Sequence, residues 1–86
     1  MKISRQTAAR KLQAYLKGRL ALAGLVEWAE QAMLQGDFAP ADAAVLRKVV
    51  PRLGVADVRA FGLEWSDCTQ LLRQLGFRAR IEVVAA

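Results

Sequence analysis

The stretch from Leu20 to Gln35, LALAGLVEWAEQAMLQ, is the one to which the rest of the chain must adapt. At about 100° per residue, Leu22, Leu25, Val26, Trp28, Ala29, Ala32 and Met33 fall on one broad arc of a helix, and Glu27, Glu30, Gln31 and Gln35 fall opposite. Such a helix needs a cover. A large side chain on that arc contributes roughly 1.5–3 kcal/mol only if it leaves water, so every other apolar face in the chain is a candidate to lie over it.

With 86 residues the chain makes one small domain, residues 1–86. A chain of this size buries only somewhat over ~60% of its unfolded surface, and its stability depends on efficient packing or on a second chain. An apolar content of 55% argues against a disordered tail.

One cysteine and no histidine restrict the chemistry. A disulfide needs a pair, a structural zinc site needs four Cys or His ligands, and the usual imidazole base is missing. Cys68 lies at a helix start, where a thiol pKa can fall, but it shares a face with Leu71, Leu72 and Leu75 and reads as a packing residue. Glu27 and Glu30 sit on a polar arc and read as a solvated face. The expectation is a chain without catalytic residues, metal or cofactor. The longest apolar run, Leu20 to Val26, is too short to span a bilayer and is a poor signal peptide, so a cytoplasmic protein with no membrane partner is expected.

The net charge of +5 is unevenly placed. Residues 1–19 carry Lys2, Arg5, Arg10, Lys11, Lys17 and Arg19 with no acid, whereas residues 20–46 carry Glu27, Glu30, Asp37 and Asp42 with no base. Two explanations compete: an anionic partner for the first helix, or two helices of opposite charge lying against each other.

In chain order, Met1-Lys2-Ile3 is extended, Ser4 or Thr7 can cap, and Ala8, Ala9, Leu12, Tyr15 and Leu16 predict a helix over about 5–17 that ends at Gly18. Arg5 at its start is unfavourable to the helix dipole and asks for an anion or an acidic neighbour. The short link to the Leu20 helix predicts an antiparallel hairpin of residues 5–35. Gln35 to Pro40 is a loop, with Pro40 placed to start a third helix that carries Leu46, Val49, Val50 and Leu53. Pro51 should kink that helix or end it at Val50. Val55 to Phe61 fits either a short helical turn or a short strand. Ser66 is the expected cap of a fourth helix, which presents Cys68, Leu71, Leu72 and Leu75 and stops at Gly76.

Beyond Gly76, Phe77, Ala79, Ile81 and Val83 alternate with Arg78, Arg80 and Glu82, the period-two pattern of a half-buried strand. Its backbone needs a neighbour. Met1 to Ser4, Val55 to Phe61 and the same strand of a second molecule are the candidates. The expected fold is therefore mainly α: an antiparallel helical hairpin, two shorter helices, and one C-terminal strand paired with another segment or with a second chain.

Trp28, Phe38, Phe61, Trp65 and Phe77 are many large aromatics for a core this small, and any left exposed would mark a protein contact. Trp65 is the first candidate, against its reading as a hydrophobic staple for the fourth helix, with Phe61, Arg78 and Arg80 beside it. The alternative is nucleic-acid binding by basic faces, Arg47, Lys48 and Arg52 on the third helix and Arg73, Arg78 and Arg80 near the C terminus. A helix-turn-helix fits poorly, because Gly62 leaves no recognition helix of useful length.

Leu12-Gln13-Ala14-Tyr15-Leu16-Lys17-Gly18, followed by Leu25-Val26-Glu27-Trp28-Ala29, resembles the opening of small bacterial helical proteins, among them uncharacterised domains and some bacteriocin or toxin immunity proteins. The resemblance covers about a third of the chain and transfers no binding residue. The final strand and the basic charge depart from acidic, tRNA-mimicking immunity proteins of the colicin D kind. The expected function is a bacterial regulator of the antitoxin or immunity-like kind, acting by protein contact with a different protein or with a second copy of itself.

Overall fold

Ser4 opens the first helix, α1 (Arg5–Leu16), in the computed structural model, which describes residues 1–85. Its hydroxyl accepts the Thr7 N–H at 3.3 Å, and its own N–H donates to Thr7 Oγ1 at 3.1 Å, so two backbone donors at the helix start are satisfied locally. Gly18, at φ +73°, closes α1: the Gly18 and Arg19 N–H groups return to the carbonyls of Tyr15 and Ala14.

Helix α2 (Leu22–Gln35) starts after Leu20, whose N–H is held in the preceding turn by the Ala14 carbonyl. Leu25, Val26, Ala29 and Ala32 are buried as the periodicity predicts, and Trp28 packs half-buried on the core. Met33 is the exception on that arc. It is 45% exposed at the margin, where its methyl reaches Gly54 at the end of the third helix.

The main partner of α2 is the third helix, α3 (Ala43–Gly54), and α1 touches α2 only sparsely, so the α1–α2 hairpin expected from the short link is not the packing unit. Leu46, Val49, Val50 and Leu53 of α3 are fully buried, and the small Ala29 and Ala32 of α2 share their cluster. At roughly 1.5–3 kcal/mol per large side chain, this stripe is the principal apolar contribution of α3. Pro51 does not end the helix, which runs on to Gly54. Pro51 and Arg47 are both exposed, so the carbonyl that loses its donor lies on the wet side of the helix, where water replaces the bond.

Residues expected only as loop complete a small sheet. Asp37–Phe38 (β2) pairs in parallel with Lys2–Ile3 (β1), Lys2 opposite Asp37 and Ile3 opposite Phe38. The Asp37 and Ala39 N–H groups donate to the carbonyls of Met1 and Ile3, and Ile3 is 1% exposed. The N-terminal segment is thus committed to β2 rather than to the C-terminal tail. Pro40 opens a single 3₁₀ turn, Pro40–Asp42, that leads into α3.

Val55 to Phe61 is neither strand nor α-helix: turns at Val55 and Ala56 lead to a 3₁₀ turn at Arg59–Phe61. Ala56 alone is buried there. Helix α4 (Trp65–Gln74) is preceded by Glu64, not capped by Ser66; the Glu64 N–H donates to Asp67 Oδ2 at 2.9 Å. Cys68, Leu71, Leu72 and Leu75 are buried. Gly76, at φ +92°, ends the helix, and the Gly76 and Phe77 N–H groups return to the carbonyls of Arg73 and Leu72.

After that glycine no strand forms among the described residues. Ala79 packs half-buried on the core, whereas Ile81, Val83 and Val84 are 72%, 91% and 77% exposed. The alternating tail has its expected pattern but no partner strand among the described residues. Both intrachain candidates are accounted for, Met1 to Ser4 by β2 and Val55 to Phe61 by turns.

Candidate functional site

Gln6, Arg10, Gln13 and Lys17 follow one another at intervals of four, three and four residues and therefore share one face of α1. Across from them run the start of α4 and the first residues of the tail. The space between is an open groove of about 640 Å³, lined by those four residues, by Ala9, Leu16 and Leu72 at its floor, and by Trp65, Phe77, Arg78, Ala79 and Arg80.

The groove joins three properties. Its floor is apolar. Trp65, 49% exposed, and Phe77, 36% exposed, offer aromatic surface to whatever occupies it. Arg10, Lys17, Arg78 and Arg80 line it with no acidic residue among its lining, so the local potential is positive. Phe77 is oriented by Arg5, whose Cζ lies 5.6 Å from the ring centroid and whose Nη1 donates to the Leu75 carbonyl at 3.4 Å.

Trp65, Arg78 and Arg80 are thus brought together as the sequence suggested. Phe61 is not. It is 51% exposed in the turn before α4 and lies outside the groove, and its carbonyl accepts Arg52 Nη1 at 2.6 Å. Arg52 Nη2 donates to the Gly62 carbonyl at 3.3 Å, so this guanidinium braces the Arg59–Phe61 turn and is already engaged. Lys48 and Arg52 border a shallower depression of about 330 Å³ together with Asp67 and Gln70, which mixes charges. Arg47 and Arg73 are exposed and line neither hollow. The basic set Arg73, Arg78 and Arg80 therefore divides.

Arg10, Lys17 and the two glutamines are what sequence reasoning missed. Their spacing was the available signal. The excess of base in residues 1–19 points to an anionic partner for the first helix, but the sequence does not separate Arg10 and Lys17 from the other four bases.

The charge asymmetry resolves in part. Arg5 finds its acidic neighbour in Asp42, with Nε 3.8 Å from Oδ1 and the Arg5 N–H donating to Oδ2 at 3.0 Å. Lys11 lies over the Trp28 ring, 5.9 Å from its centroid. Arg10 and Lys17 instead face the groove.

Cys68 is 1% exposed among apolar neighbours. Burial, with the Asp67 carboxylate adding to it and Arg52 opposing, pushes its thiol pKa up, the direction that keeps it protonated and unreactive. Among the described residues no helix is long and apolar enough to cross a membrane.

Comparison of the chain with protein-family models, with curated proteins and with solved structures finds no match.

Proposed function

We propose that this chain is a non-catalytic protein-interaction module whose docking surface is the groove between α1, the start of α4 and the tail. Its partner is a protein segment that is apolar along one side and acidic along the other. The observation that carries this reading is the acid-free ring of Arg10, Lys17, Arg78 and Arg80 around an apolar floor and a half-exposed Trp65. Tryptophan and arginine are the side chains on which binding energy concentrates when they are desolvated together. A bacterial cytoplasmic regulator of the antitoxin or immunity-like kind, working by covering part of another protein, is the role that agrees with such a surface.

A second reading, single-stranded nucleic acid with bases on Trp65 and Phe77 and phosphates on the four cations, is favoured by the same charge and aromatics. The apolar tail separates the two. Ile81, Val83 and Val84 follow the groove-lining Arg80 in the chain and are exposed; they stay wet beside a phosphate backbone, whereas a protein segment that runs on past the groove covers them.

Fluorescence anisotropy of a labelled synthetic peptide of glutamate and leucine tests the reading, with a labelled single-stranded oligonucleotide as competitor. Binding that weakens about tenfold or more in Trp65→Ala and in Arg10→Glu/Lys17→Glu supports it. An oligonucleotide that binds through the same residues and displaces the peptide, with a steep loss as salt rises, transfers the groove to the second reading. Peptide binding indifferent to all three substitutions removes the groove from the function.

A further inference from the structure

The segment after Gly76 has the alternation of a strand and, among the described residues, no strand hydrogen bonds. Among the described residues, the Phe77 N–H is the last backbone group of the chain to find a partner within it. From Arg78 to Ala85 no backbone group bonds to another backbone group of the described residues, and Ile81, Val83 and Val84 are among the most exposed apolar side chains. β-Branched residues in period two with an unpaired backbone form an edge to which another strand can add.

We infer that this edge pairs with the same segment of a second copy, antiparallel, about a two-fold axis at Ile81. The charges select this register. Only registers that keep apolar residues opposite apolar ones need be considered, since a one-residue slip exchanges the faces. Centring on Arg80 gives two ion pairs, Arg78 opposite Glu82, but sets Arg80 against itself between them, and centring on Glu82 sets two acids together. A parallel in-register pair makes both like-charge contacts. Centring on Ile81 places Arg80 opposite Glu82 twice, once on each side of the axis, with Ala79 opposite Val83 and Ile81 opposite Ile81. That is the self-complementary patch an isologous dimer requires.

The dimer follows from tail pattern and charge and does not rest on the groove reading. A two-stranded ribbon is marginal by itself. Here each strand is anchored at one end, because Ala79 packs on the core and Phe77 is held beneath Arg5. A weak, concentration-dependent dimer is the expected product.

Sedimentation velocity of the full chain, from roughly micromolar to roughly millimolar protein, tests this directly. The wild type should pass from monomer to dimer. Arg80→Glu alone and Glu82→Arg alone each turn both reciprocal pairs into like-charge pairs and should raise the dimer dissociation constant roughly tenfold or more. Mixed in equal amounts, these two variants should associate again, and the doubly reversed chain, R80E/E82R, should pair with itself. Ile81→Pro should stay monomeric. Ile81 and Glu82 lie outside the core, so unchanged far-UV circular dichroism and melting would establish that these variants fold. A wild type monomeric over the whole range overturns the proposal, as does a dimer that ignores the single reversals or is not restored by mixing. An intact peptide-binding groove on a strictly monomeric chain would sink the dimer and leave the groove reading standing.

Discussion

Asp42 closes the start of α1 from 37 residues away: its Oδ2 accepts the Arg5 backbone N–H at 3.0 Å, and its Oδ1 lies 3.8 Å from Arg5 Nε. A carboxylate at a helix N-terminus meets the positive end of the helix dipole. Asp42 is also the residue before α3, but its side chain makes no capping hydrogen bond there, so the carboxylate serves the start of α1. A basic residue in the first turn of α1, unfavourable when that helix is considered alone, becomes favourable beside it.

Removing that acceptor should be costly. Asp42→Ala leaves the Arg5 N–H without its partner and is expected to lower unfolding free energy by about 1–3 kcal/mol in urea titrations. Asp42→Asn keeps an oxygen acceptor without the charge and should lose less. Equal stability of the wild type and the alanine variant would show that water replaces the carboxylate without loss.

How much of this was legible follows from what each element depends on. The four helices were, because each buries a stripe whose period can be counted, as in Leu46, Val49, Val50 and Leu53. The boundaries at Gly18 and Gly76 were legible for another local reason: both glycines take a positive φ that other residues rarely adopt. The β1–β2 pair was not, since two residues on each side show no period and their pairing spans more than thirty residues of chain. Nor was the engagement of Arg52, whose bonds go to backbone carbonyls that carry no side-chain signature. Of the candidate site, Trp65, Arg78 and Arg80 were found by type, while Arg10 and Lys17 needed knowledge of which helix lies across from the tail. Helix packing is a non-local fact, and the choice of α3 over α1 as the main partner of α2 belongs to the same class.

Gly36 is a position where space, not backbone angle, demands glycine. Its φ of −76° suits any residue, but a Cβ there would strike the Ala32 carbonyl oxygen and approach the Ile3 side chain to 2.6 Å. The carbonyl belongs to the last turn of α2 and cannot rotate away as a side chain can. Gly36→Ala should therefore destabilise by about 1–3 kcal/mol, read as a lower midpoint in thermal or urea melts. Gly54→Ala makes a useful comparison. Its new methyl would crowd the end of the flexible, half-exposed Met33 side chain and make ordinary contact with the Ala29 Cβ, and little change is expected.

The buried thiol sets a pH dependence. A pKa raised in the folded state means that the unfolded chain releases the Cys68 proton first, so its contribution to stability is full below the unfolded value and is lost as pH rises toward the folded one. Comparison of wild type with Cys68→Ala across the alkaline range should show a steeper fall for the wild type. In the same range the native thiol should react with a disulfide reagent far more slowly than the urea-unfolded chain, because only opened molecules present a thiolate. Fast, stoichiometric labelling of the folded chain would contradict the burial of Cys68.

Pro51 offers the opposite kind of test, a substitution expected to stabilise. It lies inside α3 on the exposed side, it has no N–H to offer the Arg47 carbonyl four residues earlier, and its ring crowds that carbonyl. Replacing it by alanine restores the missing bond and a good helix former, against an intrinsic proline penalty of about 3 kcal/mol in helix interiors. Two effects reduce the gain: water already solvates the exposed carbonyl, and the alanine chain has about 0.4–1 kcal/mol more unfolded-state entropy to lose. The net expectation is a gain of about 1–2 kcal/mol in urea titrations for Pro51→Ala, with the buried stripe from Leu46 to Leu53 undisturbed. A loss instead would mean that the proline ring packs against a neighbour closely enough to outweigh a full turn of regular helix.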